Sequence, residues 1–284
     1  MNILTIANLT FREAWRKKLV WVALGLGLAF LFLFATGFHF AVQDIRQNSR
    51  AASESPVALN LLINEVSGVL LIMGLFAVNF LIVMMTALTS VATIAGEISS
   101  HTIQAIASKP VHRRDIILGK WLGHGLMLVI YVIFMVGGIT LVPFIISGYT
   151  PPNFWPGLAL LVLEGLIVLS LTLFGGTFLS TQANGVLVFM LYGIAFVGSW
   201  VEQIGAALES ETAVQVGIVA SLIMPSEAMW RKVSDLMQPA FVRSIGASPI
   251  TVFSQPSNAM VVYAVLYMVL MLGGALWQFQ RRDL

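Results

Sequence analysis

The segment from residue 96 to residue 123 carries six charged side chains and lies between two long apolar runs. It reads GEISSHTIQAIASKPVHRRDIILGKWLG. Ser99 or Ser100 can cap a short helix, Pro110 stops that helix, and Arg113 lies at the start of the next one. The pattern therefore predicts a short charged helix, fixed at both ends, that another protein can bind.

Hydroxyl and carboxyl side chains recur on one helical face just before this segment. Thr86, Thr89, Ser90, Thr93 and Glu97 follow a three-to-four-residue spacing. Hydroxyls inside a membrane bond either to their own backbone or across a helix interface. The stripe therefore has two interpretations, a helix-packing face and the lining of a transport pathway.

Glu164 is the one charged residue inside an otherwise apolar run that is long enough to span a membrane. A carboxylate at such a position usually faces the interior of the helix bundle or a wet cavity, and it often has a function. Because the run begins only about two helical turns earlier, Glu164 could also extend its carboxylate to the outer interface. Both interpretations remain open from the sequence.

Several kinds of site are excluded or unsupported by the residues present. The chain has no cysteine, which excludes disulfides, thiol nucleophiles and cysteine-bound metals. It has no phosphate-binding loop, because Arg114 and Trp121 stand where such a loop around Gly119 and Lys120 needs Gly and Ser or Thr. The four histidines show no metal-binding spacing. We expect no metal and no cofactor bound by this chain, and no catalytic residues.

The composition indicates that the whole chain is embedded in a membrane. Of 284 residues, 58% are hydrophobic and 10% charged, against roughly 25% charged in soluble domains. A spanning helix needs about 20 mostly apolar residues. Six runs qualify, at about 19–43, 66–96, 121–146, 157–180, 185–200 and 258–279. The fold class that we predict is an all-α polytopic membrane protein with six transmembrane helices.

The distribution of Lys and Arg predicts that both termini are cytoplasmic. With six spans, ten of the fifteen Lys and Arg residues fall on the side of the termini and five on the other, and the cytoplasmic side carries the excess. The apolar run at 19–43 is longer than the core of a signal peptide, so we expect a retained helix.

Three segments outside the spans also carry predictions. Residues 1–18 mix apolar and basic side chains and predict either an amphipathic helix at the interface or a basic flank that fixes topology. Residues 44–65 and 201–257 form the longer outer loops. The second contains an apolar stretch too short to span, followed by Pro225, and predicts short re-entrant or interfacial helices. A seventh crossing there would put Arg281 and Arg282 outside.

The segment at 97–120 resembles the first cytoplasmic loop of type 2 permeases of ATP-binding-cassette (ABC) exporters. That loop runs Glu, three residues, Gly-Thr-Leu or Gly-Thr-Ile, then Ser-Lys/Arg-Pro-Val/Ile, Arg and Gly-Lys. His101 stands where the family has Gly. The matching positions are Glu97, Thr102, Ile103, Ser108, Lys109, Pro110, Val111, Arg113, Gly119 and Lys120. The six-span layout extends the resemblance over most of the chain, and the last outer loop is similar to the subgroup linked to copper-enzyme maturation.

The resemblance implies that residues 97–120 are a coupling helix that binds a cleft of a separate ATPase subunit. It implies a dimer, of identical or different permease chains, with two ATPase subunits that hold ATP and Mg, in the cytoplasmic (inner) membrane of a prokaryote. The cargo stays open among an amphipathic or lipid-linked molecule, a sulfur- or copper-related one, and a mechanical signal. The coupling residues expected are Glu97, Thr102, Ile103, Ile106, Lys109, Pro110, Arg113, Arg114, Gly119 and Lys120.

Two other classes of function compete with a permease subunit. An ion-coupled secondary carrier needs several intramembrane carboxylates and broken helices at mid-depth, and only Glu164 lies in a predicted span. An intramembrane enzyme would need paired catalytic groups, whereas His124 and Glu164 lie near opposite faces of the membrane.

Overall fold

The computed structural model describes residues 3–51, 55–99, 112–239 and 253–281. Within these ranges every regular element is an α-helix, which confirms the all-α fold class. In chain order the helices are α1 (Ile3–Arg16), α2 (Lys18–Ala51), α3 (Pro56–Ser90), α4 (Ala95–Ser99), α5 (Arg113–Ser147), α6 (Phe154–Gly176), α7 (Thr181–Ala207), α8 (Glu211–Ile223), α9 (Ser226–Met237) and α10 (Asn258–Arg281).

Six stretches of the described chain are long and apolar enough to cross a membrane, as the sequence predicts. They are Lys18–Ser49, Pro56–Ile98, Arg113–Ser147, Phe154–Gly176, Thr181–Ala207 and Asn258–Arg281. The burial of each stretch shows its position in the bundle. In the most apolar window of the Phe154–Gly176 stretch 61% of the residues are buried, against 11% for the first stretch and 17% for the last. Helix α6 therefore lies at the centre, with α2 and α10 at the periphery.

Two helices extend beyond the spans predicted for them, because charged and capping residues have partners that the sequence pattern does not show. The fifth span, predicted at 185–200, is the helix Thr181–Ala207. It starts early because the Ser180 side chain accepts a hydrogen bond from the backbone N–H of Ala183, and it continues because Glu202 is buried against Arg231. The outer loop predicted to begin at residue 201 therefore begins after Ala207.

The outer part of the second span also differs from the prediction. Helix α3 begins at Pro56, ten residues before the predicted start, because Ser55 caps it and proline suits its first turn. Since α2 continues to Ala51, most of the outer loop predicted at 44–65 is helix. At the cytoplasmic end α3 stops at Ser90, and a turn separates it from α4.

Helices α8 and α9 form a hairpin that enters the bundle and turns back. The bend between them is 111°, which exceeds a right angle, so α9 runs partly back toward the side from which α8 came. After the hairpin, residues 253 and 254 lie against the end of α7. The Gln203 side chain accepts hydrogen bonds from the backbone N–H groups of Phe253 (2.8 Å) and Ser254 (3.4 Å) and donates one to the carbonyl oxygen of Ser254 (3.1 Å). The chain therefore leaves and returns on one side, which supports six crossings rather than seven.

Helix α1 packs on the start of α5 in a groove made by two glycines. Its buried residues, Ile6, Thr10 and Ala14, recur every four positions and form one face. A Cβ atom added to Gly119 would lie 2.6 Å from Cβ of Ile6, and one added to Gly123 would lie 2.7 Å from the carbonyl oxygen of Ala7. The two α-carbons therefore let α1 approach closely.

Candidate functional site

The two ends of the charged segment are joined at its base by an ion pair. Lys120 of α5 donates a hydrogen bond to Oε1 of Glu97 in α4. The Lys120 side chain is 4% exposed and that of Glu97 is 17% exposed. A pair so shielded from water is costly to break, because one charge would stay buried without compensation. The structure therefore places two predicted coupling residues in contact with each other.

A second polar contact lies directly beneath the pair. The hydroxyl of Thr93, in the turn before α4, lies 3.1 Å from Nε2 of His124 in α5. The other ring nitrogen, Nδ1, lies 3.1 Å from the carbonyl oxygen of Lys120. His124 therefore connects the turn to the first part of α5. We call Thr93, Glu97, Lys120 and His124 the cytoplasmic brace.

The two arginines at the start of α5 contact the end of the last helix. Arg113 donates from a guanidinium nitrogen to the carbonyl oxygen of Gln280 (3.3 Å), and Arg114 donates to its side-chain oxygen (3.5 Å). Both residues were predicted to face an ATPase subunit. In the structure they also connect α5 to α10. The charged segment is therefore fixed to α5 and α10 as well as to the span that precedes it.

The remaining predicted coupling residues divide into one with a structural role and five outside the described ranges. Gly119 faces α1, where it allows close packing. The tip of the predicted coupling helix lies outside the described residues, together with its predicted residues Thr102, Ile103, Ile106, Lys109 and Pro110.

The hydroxyl stripe of α3 faces the interior of the protein. Thr86 bonds to the carbonyl of Ile82 (2.7 Å) and Thr89 to that of Met85 (2.7 Å). Ser90 bonds to the carbonyl of Thr86 (2.6 Å). Each hydroxyl thus satisfies its hydrogen bond one turn back on its own helix, and all three side chains are buried. This geometry favours the helix-packing interpretation over a pathway lining.

Glu164 lies in the interior of the bundle, so the interpretation in which it reaches the outer interface is wrong. Its side chain is fully buried, about 15 Å along α6 from the outer end at 1.5 Å per residue. Asn79 of α3 donates from Nδ2 to Oε1 of Glu164 (3.2 Å). The other carboxylate oxygen has no hydrogen-bond partner.

A second buried carboxyl group belongs to the α8–α9 hairpin. Glu227 lies in the first turn of α9 and is 2% exposed. Helix α9 packs on α6 and on α7, and Tyr192 of α7 is buried as well. We call Asn79, Glu164, Tyr192 and Glu227 the buried acid cluster. Four helices contribute one residue each.

A buried ion pair lies on the outer side of this cluster. A guanidinium nitrogen of Arg231 in α9 lies 2.5 Å from Oε1 of Glu202 in α7. Another donates to the Ser221 hydroxyl of α8 (3.1 Å). The Ser254 hydroxyl donates to Glu202 at 2.5 Å. The pair thus joins the hairpin to α7 and to the chain that leads into α10.

Sequence reasoning did not identify most of these residues. Asn79 and His124 do not end a predicted span, because single uncharged polar side chains change the mean hydropathy of a long apolar run only slightly. Glu202, Glu227 and Arg231 were assigned to an outer loop because the run at 212–224 is too short to span. The four-residue spacing of Glu227 and Arg231 was an available signal for one helical face.

The comparisons with known proteins identify the family. The family model described as ABC-2 family transporter protein matches residues 4–284. No curated protein matches the chain. The family match confirms the resemblance drawn from the segment at 97–120, whereas the copper-linked subgroup stays a prediction. Since the match covers nearly the whole chain, and six helices can cross a membrane, the chain belongs to the ABC-2 family of transporter proteins and is a multi-pass membrane permease.

Proposed function

We propose that this chain is the permease subunit that couples ATP hydrolysis on a separate ATPase subunit to the export of a substrate or its extraction from the membrane. The observation that supports this most is the cytoplasmic brace. It closes the base of the segment at 97–120 with a buried ion pair between Glu97 and Lys120. A loop that only connects two spans has no need of such a contact.

The brace gives the base of the segment the stiffness that a lever requires. A force applied to its tip reaches α4 and α5 together, because Glu97 and Lys120 cannot separate without leaving a buried charge. The contacts of Arg113 and Arg114 with Gln280 extend the same connection to α10. A push on the tip therefore moves three spans as a unit, as coupling by rigid-body motion needs.

The proposal assigns ATP and Mg to two partner ATPase subunits and includes a second permease chain, identical or different. Helices α2 and α10 supply apolar faces at the periphery of the bundle, which suit lipid or a second permease. The membrane that we propose is the cytoplasmic membrane of a prokaryote. Export or extraction of the cargo is the outcome, whatever the cargo's chemical class.

The first test is purification of the tagged chain in mild detergent, with mass spectrometry of the proteins that accompany it. We expect a nucleotide-binding ATPase in amounts equal to the permease. Ile103→Asp and Ile106→Asp should abolish its recovery, because a charge would enter an apolar cleft. Recovery of the folded chain with no ATPase in any sample would contradict the proposal.

A charge exchange separates the brace from direct docking. Glu97→Lys and Lys120→Glu should each reduce permease-stimulated ATPase activity several-fold, and the double exchange should restore most of it. Glu209→Lys, at an exposed position on the outer side, is the matched control and should have no effect. If the double exchange folds but fails to restore coupling, the brace is not what transmits the force.

A further inference from the structure

The side chain of Asn184 in α7 connects three helices at the cytoplasmic side of the bundle. Its Nδ2 donates hydrogen bonds to the carbonyl oxygen of Thr172 in α6 (2.9 Å) and to that of Val91, the first residue after α3 (3.2 Å). The side chain is fully buried. An amide NH2 group has two hydrogens, whereas a hydroxyl has one and a carboxylate none. Asn184 therefore makes a pair of bonds that a serine or an aspartate at this position could not make.

Two glycines at the end of α6 let Asn184 and the turn after α3 approach α6 closely. A Cβ atom added to Gly175 would lie 2.2 Å from Oδ1 of Asn184. One added to Gly176 would lie 3.3 Å from Cβ of Ile94, whose side chain is also fully buried. The lack of side chains at these two positions therefore fixes where the amide and the turn can lie.

The carbonyl of Val91 belongs to an interruption of the helical hydrogen-bond pattern. Residues 91–94 form a turn between α3 and α4, in which the backbone N–H of Thr93 bonds to the carbonyl of Ser90, only three residues back (3.0 Å). A side chain that enters the hydrogen-bond ladder is one cause of such an interruption, and a tighter turn within a long helix marks a point of bending. The second span can therefore bend at this turn unless its neighbours hold it.

The turn is held from two sides. On one side the hydroxyl of Thr93 contacts His124 of α5 as part of the cytoplasmic brace. On the other side Asn184 bonds to the carbonyl of Val91. The two hydrogen bonds of Asn184 thus extend the brace to α6 and α7.

We propose that Asn184 is a positioning residue for coupling, which holds the turn at residues 91–94 against α6 and α7 so that movement of the charged segment reaches these two spans. Because the ATPase subunit supplies the movement, this role rests on the proposed function. Helix α6 packs on α3, α5, α7, α9 and α10, so its displacement moves the helices around it. Without the two bonds, the second span would bend at the turn and absorb the movement there.

The test is the ATPase activity of the purified permease–ATPase complex in lipid. Asn184→Leu removes both donors and keeps the branched shape of the side chain. We expect the complex to form as it does with the unmodified chain, and the stimulation of the ATPase by the permease to fall several-fold. Asn184→Asp should act in the same way, because a carboxylate repels the two carbonyls. Gln182→Glu, the same amide-to-carboxylate change at an exposed position of α7, should leave the stimulation unchanged.

A destabilised variant separates positioning from a merely structural role. Val188→Ala, one turn further along α7, opens a cavity at a buried position. It should lower the melting temperature of the chain and retain full stimulation of the ATPase. If stimulation falls in proportion to the melting temperature in both Val188→Ala and Asn184→Leu, Asn184 contributes only to stability and the proposal is overturned.

Gly175→Ala displaces the amide without changing Asn184 itself, and it should also reduce the stimulation several-fold. Gly193→Ala in α7 is its control, because no atom lies within 4 Å of an added Cβ there, and it should have no effect. Full stimulation by a folded, ATPase-bound Asn184→Leu chain would overturn the role of Asn184 alone. Absence of the ATPase from every sample, the unmodified chain included, would contradict this role and the proposed function together.

Discussion

Thr86 and Thr93 are equally buried, each 3% exposed, yet their hydroxyls have different roles. Thr86 bonds only to the backbone of its own helix. Thr93 also contacts His124 of α5. Since the carbonyl that Thr86 reaches keeps its ordinary helical partner, the Thr86 hydroxyl adds little, whereas the Thr93 hydroxyl joins the turn before α4 to α5.

This difference predicts unequal effects of the same substitution. Thr86→Val should change the free energy of unfolding by less than about 0.5 kcal/mol, while Thr93→Val should lower it by about 1 kcal/mol by loss of an interhelical hydrogen bond. Unfolding in detergent, followed by intrinsic fluorescence, measures both. Transport by Thr86→Val should be normal. A transport defect in that variant, without loss of stability, would revive the pathway interpretation of the stripe.

The ion pair between Arg231 and Glu202 predicts a loss and its compensation. Arg231→Met leaves the charge of Glu202 buried without its cation, with only the Ser254 hydroxyl as a hydrogen-bond partner, and should destabilise the chain by about 3–5 kcal/mol. Adding Glu202→Leu should recover most of that loss, because the orphaned charge is removed. Lys232→Met, which removes one hydrogen bond to the carbonyl of Pro256, is the neighbouring control and should cost about 1 kcal/mol.

If the double variant proves no more stable than Arg231→Met alone, the pair is not what holds the hairpin. In that case the hydrogen bond from Arg231 to Ser221 of α8 would stabilise the hairpin more than the ion pair with Glu202 does. The free energies of unfolding of the single and double variants distinguish these two contributions.

At the scale of single residues, the sequence located Glu164 because a carboxylate stands out in an apolar run. It could not locate Asn79, Tyr192 or Glu227, because their roles depend on which helices the fold brings together. Glu97 and Lys120 were identified through family resemblance as ATPase contacts, and their mutual ion pair depends on how α4 returns beside α5.

At the scale of elements, the junction of α1 and α5 depends on two positions where no side chain fits. Added Cβ atoms at Gly119 and Gly123 would contact Ile6 and the backbone of Ala7. Gly137, further along the same helix, has no atom within 4 Å of an added Cβ. These three of the five glycines of α5 therefore lie in two different environments.

Alanine substitutions test this distinction. Gly119→Ala and Gly123→Ala should each displace α1 and lower the free energy of unfolding by about 1–3 kcal/mol through overpacking. Gly137→Ala should be neutral or stabilising by up to about 1 kcal/mol, since it improves helix propensity without a clash. Limited proteolysis near Lys17 reports the release of α1. Equal behaviour of all three variants would contradict the packing of α1 in the glycine groove.

The elements themselves were largely predictable, because long apolar runs and the prolines between them set the spans. The errors lie at the ends of helices, where Ser55 and Ser180 act as caps and where Glu202 is neutralised by a residue 29 positions further along the chain. Hydrophobicity alone ends a helix at a charge, and only the fold shows that the charge is paired.

At the scale of the whole molecule, topology rests on the contact of Gln203 with residues 253 and 254. That contact returns the chain to the side on which α7 ends, so the described ends at Ile3 and Arg281 lie on one face of the membrane. The excess of Lys and Arg on that face predicts that it is the cytoplasmic one.

The absence of cysteine from the sequence makes this topology easy to test. Single cysteines at Glu209, His112 and Arg281 can be labelled in intact cells with a membrane-impermeant thiol reagent. Only Glu209→Cys should react from outside, and the other two should react after the membrane is permeabilised. Labelling of Arg281→Cys in intact cells would require seven crossings and overturn the six-span topology.

The glycine groove also determines when helix α1 can pack in its native position during synthesis. Helix α1 leaves the ribosome before α5, and its binding surface on α5 follows about 110 residues later, which at roughly 5–20 residues per second is a delay of roughly 5–20 seconds. Throughout that interval the apolar face of α1 has only the membrane surface to rest on. Helix α1 is therefore made well before it can reach its native position, and a truncated chain that ends before Gly119 retains an unattached helix α1.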